Sequence, residues 1–291
     1  MKITLRQIEV FCAVAARGQV TRAADELAMT QAAASMALAD LERQLGCVLF
    51  DRVGRRLVLS ETGRLLAGRA RELLDRAAEF ETLARGEGGS FHLRLGASVT
   101  VGNHLLPALL VRLARRWPEA RLEVARLNSS EVLAALRTHR IDAGFVEGPD
   151  ADDDIRHLPW RDDRLRLFVA AGHPLAGRAV TPEALADAAF VVRERGSGTR
   201  EVMARACAAA GIEPRIGFEL EQPEAIRQCV KAGLGVGCLS ALELEEAVAG
   251  GALACLDTPW LDMRRRIDVV LLKSRHPGAG TRALLEVCGL G

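Results

Sequence analysis

Residues 5–60 read LRQIEVFCAVAARGQVTRAADELAMTQAAASMALADLERQLGCVLFDRVGRRLVLS, and this stretch decides the fold of the N-terminal part of the chain. Apolar side chains recur at helical spacing near its start, which predicts a first amphipathic helix. Two alanine-rich segments follow, and we expect helices over residues 22–27 and 31–45, with Thr21 and Thr30 as their N-caps. Small alanine side chains let two helices approach closely, as a helix-turn-helix requires.

A small β-hairpin, the wing, is expected after these helices. Two short apolar runs within residues 48–60 flank the tip Gly54-Arg55-Arg56. Arginines at such a tip, together with Arg52, would lie against the sugar–phosphate backbone of DNA. Because the net charge of the 291-residue chain is only +1, attraction to DNA would come from this local basic patch. The alternative from periodicity alone is an ordinary helical bundle with a solvated arginine face.

Three motifs in this segment occur together in one known family. They are LRQIEVF at residues 5–11, Thr30-Gln31-x-x-x-Ser35, and LF-x-R at 49–52 with LS-x-TG at 59–63. In combination they closely resemble LysR-type transcriptional regulators. The resemblance implies a winged helix-turn-helix whose third helix enters the major groove of double-stranded DNA. The DNA-binding residues that it implies are Arg22, Thr30, Gln31, Ala32, Ser35, Met36, Arg52, Arg55 and Arg56.

One continuous linker helix without proline is predicted over residues 63–84. Its apolar positions follow the a/d spacing of a coiled coil, and a single helix cannot bury such a seam by itself. In the resembled family this helix pairs with its twin, so we expect a homodimer or homotetramer; docking on the chain's own C-terminal domain is the alternative. A glycine-rich hinge over residues 85–90 follows. The predicted dimerisation residues are Leu66, Ala70, Leu73, Ala77 and Phe80.

Beyond the hinge, predicted strands and helices alternate, which indicates α/β units built on parallel sheets. Two such sets occur, and they resemble the two-lobed fold of periplasmic binding proteins, as in LysR-type effector domains. The predicted elements include a single helix over residues 101–117 and a strand over residues 165–170. The fold class is therefore α/β overall, with a mainly helical N-terminal domain. We place the domains at residues 1–62 (winged helix-turn-helix), 63–85 (linker helix) and 86–291 (effector-binding domain), with lobe I at about 91–162 and 266–291 and lobe II at about 163–265.

Polar residues follow the predicted strands of both lobes. Ligands of open α/β sheets bind beyond the carboxyl ends of strands, and glycine-rich helix starts offer N–H groups to an anion. Simple helix capping explains each residue taken alone, but the resemblance implies an effector between these loops. Glu147 would instead suit an ammonium or hydroxyl group. The candidate effector-binding residues are Ser98, Val99, Thr100, Asn128, Ser129, Glu147, Gly148, Gly196, Ser197, Gly198, Thr199 and Gln222.

Several local strings resemble the CysL/YeiE branch of the family, which is associated with sulfur and sulfite metabolism. They lie at residues 100–103, 144–149, 193–200 and 238–240. The resemblance implies a small sulfur oxyanion, such as sulfite or sulfate, as the effector, with a small carboxylate as the alternative.

Other function classes lack their signatures in this sequence. The six histidines have no metal-ligand spacing and no P-loop or nucleophile-elbow motif occurs, so we expect no catalytic residue, no metal and no cofactor. No run of about 18 apolar residues and no signal peptide is recognisable, which favours a cytoplasmic protein over a membrane or solute-binding protein. The seven cysteines are scattered and odd in number, so free thiols are expected, with a redox-sensing role left open. RNA polymerase is a candidate further partner.

Overall fold

The structure is a computed structural model that describes residues 3–54, 56–84, 90–148 and 152–290. A winged helix-turn-helix, a long helix and two α/β lobes follow one another, so the predicted fold class is confirmed. The N-terminal elements are α1 Leu5–Arg17, α2 Val20–Glu26, α3 Gln31–Leu45, β1 Phe50–Val53, β2 Arg56–Leu59 and the linker helix α4 Glu61–Ala84.

The starts of α2 and α3 are set by different forces. The Thr30 hydroxyl accepts the Ala33 N–H at 3.2 Å, so the predicted cap of α3 is confirmed. The prediction that Thr21 caps α2 is wrong. This helix begins earlier, with Gln19 at its N-cap position and no side-chain hydrogen bond there. Val20 packs against the core of the winged domain, and this burial outweighs the local capping preference.

One apolar core holds the three helices and the wing together. Phe11 of α1 and Phe50 of the wing meet edge to face, with ring centroids 5.6 Å apart, an arrangement that aromatic rings favour. Ala24 and Ala34 are buried on α2 and α3, as close helix approach requires. The core therefore fixes one side of α3 and leaves its other side facing outward.

The two lobes are built from parallel β-α units joined by two long strands. The first part contains β3 His92–Ala97, α5 Val99–His104, α6 Leu106–Arg116, β4 Arg121–Arg126, α7 Ser129–Arg137, β5 Ala143–Glu147 and β6 Ile155–Ala170. The remainder contains α8 Pro182–Ala186, β7 Ala189–Arg193, α9 Gly198–Ala209, β8 Arg215–Leu220, α10 Pro223–Lys231, β9 Val236–Ser240, α11 Ala241–Ala249, β10 Leu253–Cys255, β11 Arg264–Leu272 and α12 Ala279–Cys288. The predicted parallel pairing holds for β3 with β4 and β5, and for β7 with β8 and β9.

The strands β6 and β11 cross between the lobes and make the sheet mixed instead of parallel throughout. They pair antiparallel from Arg164↔Arg264 to Ile155↔Leu272, and the strand order is β4-β3-β5-β11-β6-β9-β7-β8, with β10 on β6. The strand predicted over residues 165–170 is too short. The strand was predicted too short because the charged residues 161–164 interrupt the apolar pattern. These residues nevertheless form part of β6, because they pair with β11 through backbone hydrogen bonds.

The single helix predicted over residues 101–117 is also wrong. It is divided at Leu105, which takes φ −111° and ψ −39° between α5 and α6. Pro107 lies at the start of α6, where its missing N–H costs nothing, whereas inside one long helix it would remove a hydrogen bond. The helices α8 and α11 were not predicted, although the side chains of Thr181 and Ser240 cap their first turns.

Candidate DNA-binding and effector-binding sites

The outer face of α3 carries the residues predicted to read DNA bases. Gln31, Ala32, Ser35 and Met36 are all exposed, and Met36 leaves 66% of its surface free. Positions i, i+1, i+4 and i+5 share one side of a helix, so these four side chains form one surface. The opposite side is anchored in the core by Ala34, Leu38 and Leu41. The first turns of α3 are thus free to enter a groove, and the base contacts themselves stay a prediction.

The wing presents arginines beside this surface. Its two strands turn at Gly54, which takes a left-handed φ of +62° that favours glycine. Arg52 and Arg56 of the wing and Arg22 of α2 are exposed, so they are available to phosphate groups. Arg55 lies outside the described residues.

Part of the LysR-like motif has a structural role. The Ser60 hydroxyl donates to Val48 O at 2.7 Å and accepts the Gly63 N–H at 2.9 Å. A Cβ on Gly63 would lie 2.1 Å from Leu49 O, so only glycine fits where α4 meets the wing. These contacts fix the direction in which the linker helix leaves the winged domain.

The predicted dimerisation residues do not share one environment. Leu66 and Ala70 pack against the core of the winged domain, whereas Leu73 and Phe80 are 50% and 74% exposed. Leu65, which the heptad spacing left out, is 76% exposed. Among the described side chains of α4, Leu65, Leu73 and Phe80 are the large apolar ones left exposed. Dimerisation through this helix stays a prediction.

Another face of α4 docks on lobe I of the same chain, as the alternative interpretation of the linker expected. Asp75 forms an ion pair with Arg275, and Ala77 is half-buried. The His139 ring lies so close to Gly68 that a Cβ there would come within 2.5 Å of it. Burial, assisted by neighbouring arginines, lowers the pKa of His139 to about 4, so its imidazole is neutral at pH 7.

Several predicted effector residues meet in a buried polar network between the lobes. We call it the interlobe cluster, and its members are Ser98, Thr100, Ser129, Glu147, Asp163, Thr199 and Arg265. The Glu147 carboxylate accepts the Ser98 hydroxyl at 2.6 Å and the Ser129 hydroxyl at 3.2 Å. All three residues are buried. The hydroxyls of Ser98 and Ser129, which were expected to contact a bound effector, therefore already donate to an anionic group of the chain itself, the Glu147 carboxylate.

Arg265 is the cation of the interlobe cluster, and sequence reasoning missed it. Its guanidinium donates to Thr199 Oγ1 at 2.9 Å and to Thr100 Oγ1 at 3.4 Å, one hydroxyl from each lobe. It also donates to Asp163 Oδ2 at 2.6 Å and lies 3.6 Å from the Glu147 carboxylate. The side chain is only 1% exposed. The available signal was a run of three arginines beside the predicted lobe crossing, a pattern that is usually solvated.

The charges of the interlobe cluster do not cancel. One guanidinium faces two carboxylates, Glu147 and Asp163, each with a side chain only 3% exposed. Buried carboxylates are costly unless they are paired and hydrogen-bonded. Both conditions are met, since Asp163 also accepts the Ser240 hydroxyl at 2.8 Å. The cluster keeps a net negative charge, so an incoming anion is accommodated only if Glu147 withdraws.

The two loops predicted to face each other across a cleft are in direct contact. Ser130 N donates to Gly196 O at 3.2 Å, which joins lobe I to lobe II. A Cβ on Gly198 would lie 2.1 Å from Glu147 O, so a side chain there would push the lobes apart. Gly148 takes φ +130°, a conformation that also favours glycine. The glycines thus permit the closed contact between the lobes.

The remaining predicted effector residues have varied surroundings. Asn128 caps α7, where its side chain accepts the Glu131 N–H at 3.0 Å. Val99 and Ser197 are buried at the starts of α5 and α9. Gln222 is exposed at the start of α10 and makes no side-chain cap bond. The structure therefore brings Asn128 near the cluster as a cap and leaves Gln222 outside it.

The cysteine environments disfavour thiol chemistry. Burial raises the pKa of Cys12 and Cys207 to about 11 and that of Cys288 to about 12. Burial also raises the pKa of Cys238 and of Cys255. Since the thiolate is the reactive form, the raised pKa values disfavour that form in these five side chains at neutral pH, and of the five only Cys255 is exposed.

Two further kinds of feature are absent from residues 3–54, 56–84, 90–148 and 152–290. No three or more histidine, cysteine, aspartate or glutamate side chains there are grouped so that they could hold a metal ion. No helix in the same ranges is both long and apolar enough to cross a membrane.

Comparisons with known proteins match both parts of the chain. Residues 5–64 match the family described as "Bacterial regulatory helix-turn-helix protein, lysR family", and residues 86–289 match "LysR substrate binding domain". The Escherichia coli K12 protein named "Uncharacterized HTH-type transcriptional regulator YeiE" is 41% identical over 288 residues, covering 99% of this chain and 98% of the relative. The "HTH-type transcriptional regulator CysL" of Bacillus subtilis is 28% identical, covering 90% of this chain and 89% of the relative. The predicted resemblance to this branch is confirmed.

A solved structure shares the same architecture. A full-length OxyR variant from Pseudomonas aeruginosa has a TM-score of 0.77 at 23% identity, and the match covers 100% of this chain and 96% of the OxyR chain. At this identity the likeness concerns the fold alone. The matched families and the two curated relatives are transcriptional regulators and not enzymes.

Proposed function

The chain belongs to the LysR family of bacterial transcriptional regulators, and we propose that a small oxyanion bound between its two lobes controls how it binds DNA. The chain is a DNA-binding regulator with an effector-binding domain. Within that class we propose sulfite or sulfate as the effector, with a small carboxylate as the alternative. The sulfur oxyanion follows from the resemblance of the sequence to the CysL/YeiE branch.

The position of the Glu147 carboxylate carries this proposal. It is an anionic group held by the hydroxyls of Ser98 and Ser129, with the Arg265 guanidinium 3.6 Å away. A free oxyanion offers the same charge and acceptor atoms, so it can replace Glu147 on these donors. Charge-assisted hydrogen bonds of this kind contribute about 1.5–3 kcal/mol each. Exchange would release Glu147 and disturb its backbone contact with Gly198.

A change at the interlobe cluster would reach the DNA through the contact between lobe I and the linker helix. Arg275 of lobe I holds Asp75 of α4. Rotation of the lobes would therefore shift α4 and alter the spacing of paired winged domains in a homodimer or homotetramer. Contact with RNA polymerase and a cytoplasmic location complete the proposal.

Thermal-shift and gel-shift measurements on the full chain test this function. The chain is titrated with sulfite, sulfate and acetate, and its melting temperature and its affinity for the promoter DNA beside its own gene are followed at constant salt. A ligand at 100 times its Kd stabilises the folded state by about 2.7 kcal/mol. Ser129→Ala and Thr199→Val should weaken the response, because each removes a hydroxyl of the cluster. Thr138→Val is the matched control, because Thr138 is an exposed residue that follows α7 and its hydroxyl donates only to backbone carbonyls of that helix.

Two results would overturn the proposal. One is that none of the three anions changes the melting temperature or the DNA affinity of the wild-type chain. The other is that Thr199→Val responds to the active anion as strongly as Thr138→Val does.

A further inference from the structure

Met36 is a large apolar side chain on the surface of α3 that is expected to face DNA, and it leaves 66% of its surface free. Ala32 lies one turn before it and Ala39 one turn after it, and both are exposed. Positions i, i+4 and i+7 of a helix share one face, so we call these three residues the apolar stripe of α3. Apolar side chains on a binding surface gain free energy when a partner covers them.

The same part of α3 carries no positive charge. Residues 31–39 contain no lysine, arginine or histidine, and their hydrogen-bonding side chains are Gln31 and Ser35. The first cation of the helix is Arg43, which pairs with Asp40 at 2.7 Å. Guanine is read in the major groove chiefly by arginine or lysine. The first turns of α3 therefore lack the group that guanine recognition uses most often.

Cations lie beside the apolar stripe and not within it. Arg22 of α2 and Arg52 and Arg56 of the wing are exposed. Contacts of such arginines with phosphate groups position a helix on the duplex but carry no sequence information. The base edges that then meet the apolar stripe must offer an apolar group. In the major groove that group is the C5 methyl of thymine.

We propose that Met36 is a specificity-determining residue that contacts the C5 methyl of a thymine, with Ala32 and Ala39 completing the apolar contact. Gln31 suits adenine, because its amide group can both donate to and accept from the adenine edge. The part of each half-site under α3 is therefore recognised as A·T pairs. The contact rests on the placement of α3 in the major groove and does not depend on the proposed effector.

Replacement of thymine by deoxyuridine tests the contact, because uracil keeps every hydrogen-bonding atom of thymine and loses only the methyl group. The full chain first selects its strongest duplex from a random pool. Each thymine of that duplex is then replaced singly, and the affinity is measured by gel shift at constant salt. We expect a replacement under α3 to weaken wild-type binding about fourfold, the effect of leaving one methyl-sized group uncovered.

Substitutions at Met36 identify the side chain that meets the methyl group. Met36→Ala should bind the thymine duplex about fourfold or more weakly and should no longer distinguish thymine from uracil at that position. Alanine is a good helix former, so α3 is kept. Met36→Leu retains a large apolar side chain and should preserve the discrimination. Leu45→Ala is the matched control, because Leu45 is an exposed apolar residue of the same helix, about 13 Å further along its axis.

The coupling between Met36 and the methyl group is calculated from four affinities, so an effector that changed all four equally would not alter it. A chain that ignores sulfite and sulfate would contradict the proposed effector and leave this contact standing. The proposal is overturned if the wild-type chain tolerates uracil at every thymine of the selected duplex. It is also overturned if Met36→Ala distinguishes thymine from uracil as strongly as Leu45→Ala does.

Discussion

Replacing Gly198 by alanine is the change that acts most directly on the contact between the lobes. The added Cβ would lie 2.1 Å from Glu147 O and 2.8 Å from the carbonyl carbon of the same residue. Ordinary contact begins near 3.4 Å, so α9 and the end of β5 must separate by about 1.3 Å. Both close atoms belong to the backbone and cannot rotate away as a side chain would. Overpacking of this kind costs about 1–3 kcal/mol.

The expected result is a lower melting temperature and a looser interlobe cluster. For a domain of about 200 residues, each kcal/mol corresponds to about 2–4 °C, so we expect a decrease of several degrees by scanning calorimetry. The separation also strains the hydrogen bond between Arg265 and Thr199, now 2.9 Å long. Small-angle scattering should therefore show a larger radius of gyration for Gly198→Ala than for the wild-type chain.

The matched control is Gly172→Ala, because no atom lies within 4 Å of the Cβ that this substitution adds. It changes the same residue type and should leave both measurements at their wild-type values. If Gly198→Ala melts at the same temperature as Gly172→Ala and has the same radius of gyration, then Gly198 does not preserve the closed contact and the reasoning is refuted.

Three other perturbations test separate parts of the structure. Arg265→Met leaves the carboxylates of Asp163 and Glu147 without their cation and should lower the free energy of unfolding by about 3–5 kcal/mol in urea; an unchanged midpoint would contradict the role of the guanidinium. Thr30→Ala removes the N-cap of α3 and should cost about 1 kcal/mol, with weaker DNA binding in gel shifts at constant salt. The pKa of His139 is lowered from 6.5 to about 4, mainly by burial. Between pH 6.5 and pH 4 the unfolded chain therefore binds more protons than the folded chain, so the free energy of unfolding decreases as the pH falls through this range. His139→Asn, which tolerates the positive φ of this position, should flatten that part of the urea midpoint plotted against pH.

The winged domain could be predicted well because its signals are local. The helices α1 and α3 combine helical periodicity with a terminal glycine, and Gly18 and Gly46 take the left-handed φ values of +66° and +67° that end them. A cap or a terminal glycine acts within a few residues, so the sequence alone carries it. The start of α2 was misplaced for the opposite reason, since the burial of Val20 in the core depends on residues distant in the chain.

In the linker helix and the lobes, several features depend on contacts between residues distant in the sequence and could not be predicted from local patterns. The a/d spacing of α4 predicted a single apolar seam, but Leu66 and Ala70 are used by the winged domain while Leu73 and Phe80 remain exposed. A periodic apolar pattern predicts that one face of a helix will be buried, but it does not predict which surface will cover that face. The first part of the long strand β6 was missed for a related reason, because its charged residues are held in a strand by pairing with β11 and not by an apolar pattern.

The sequence by itself determined the family, the winged domain and the strand ends that place Ser98, Ser129 and Thr199 between the lobes, since these depend on motifs and neighbouring residues. Only the tertiary structure decided that Arg265 lies among them, although it is 66 residues from Thr199 and 165 residues from Thr100 in the chain. Three consecutive arginines look alike in the sequence. The antiparallel register of β6 and β11 selects the middle one to turn inward, because alternate side chains of a strand face opposite sides.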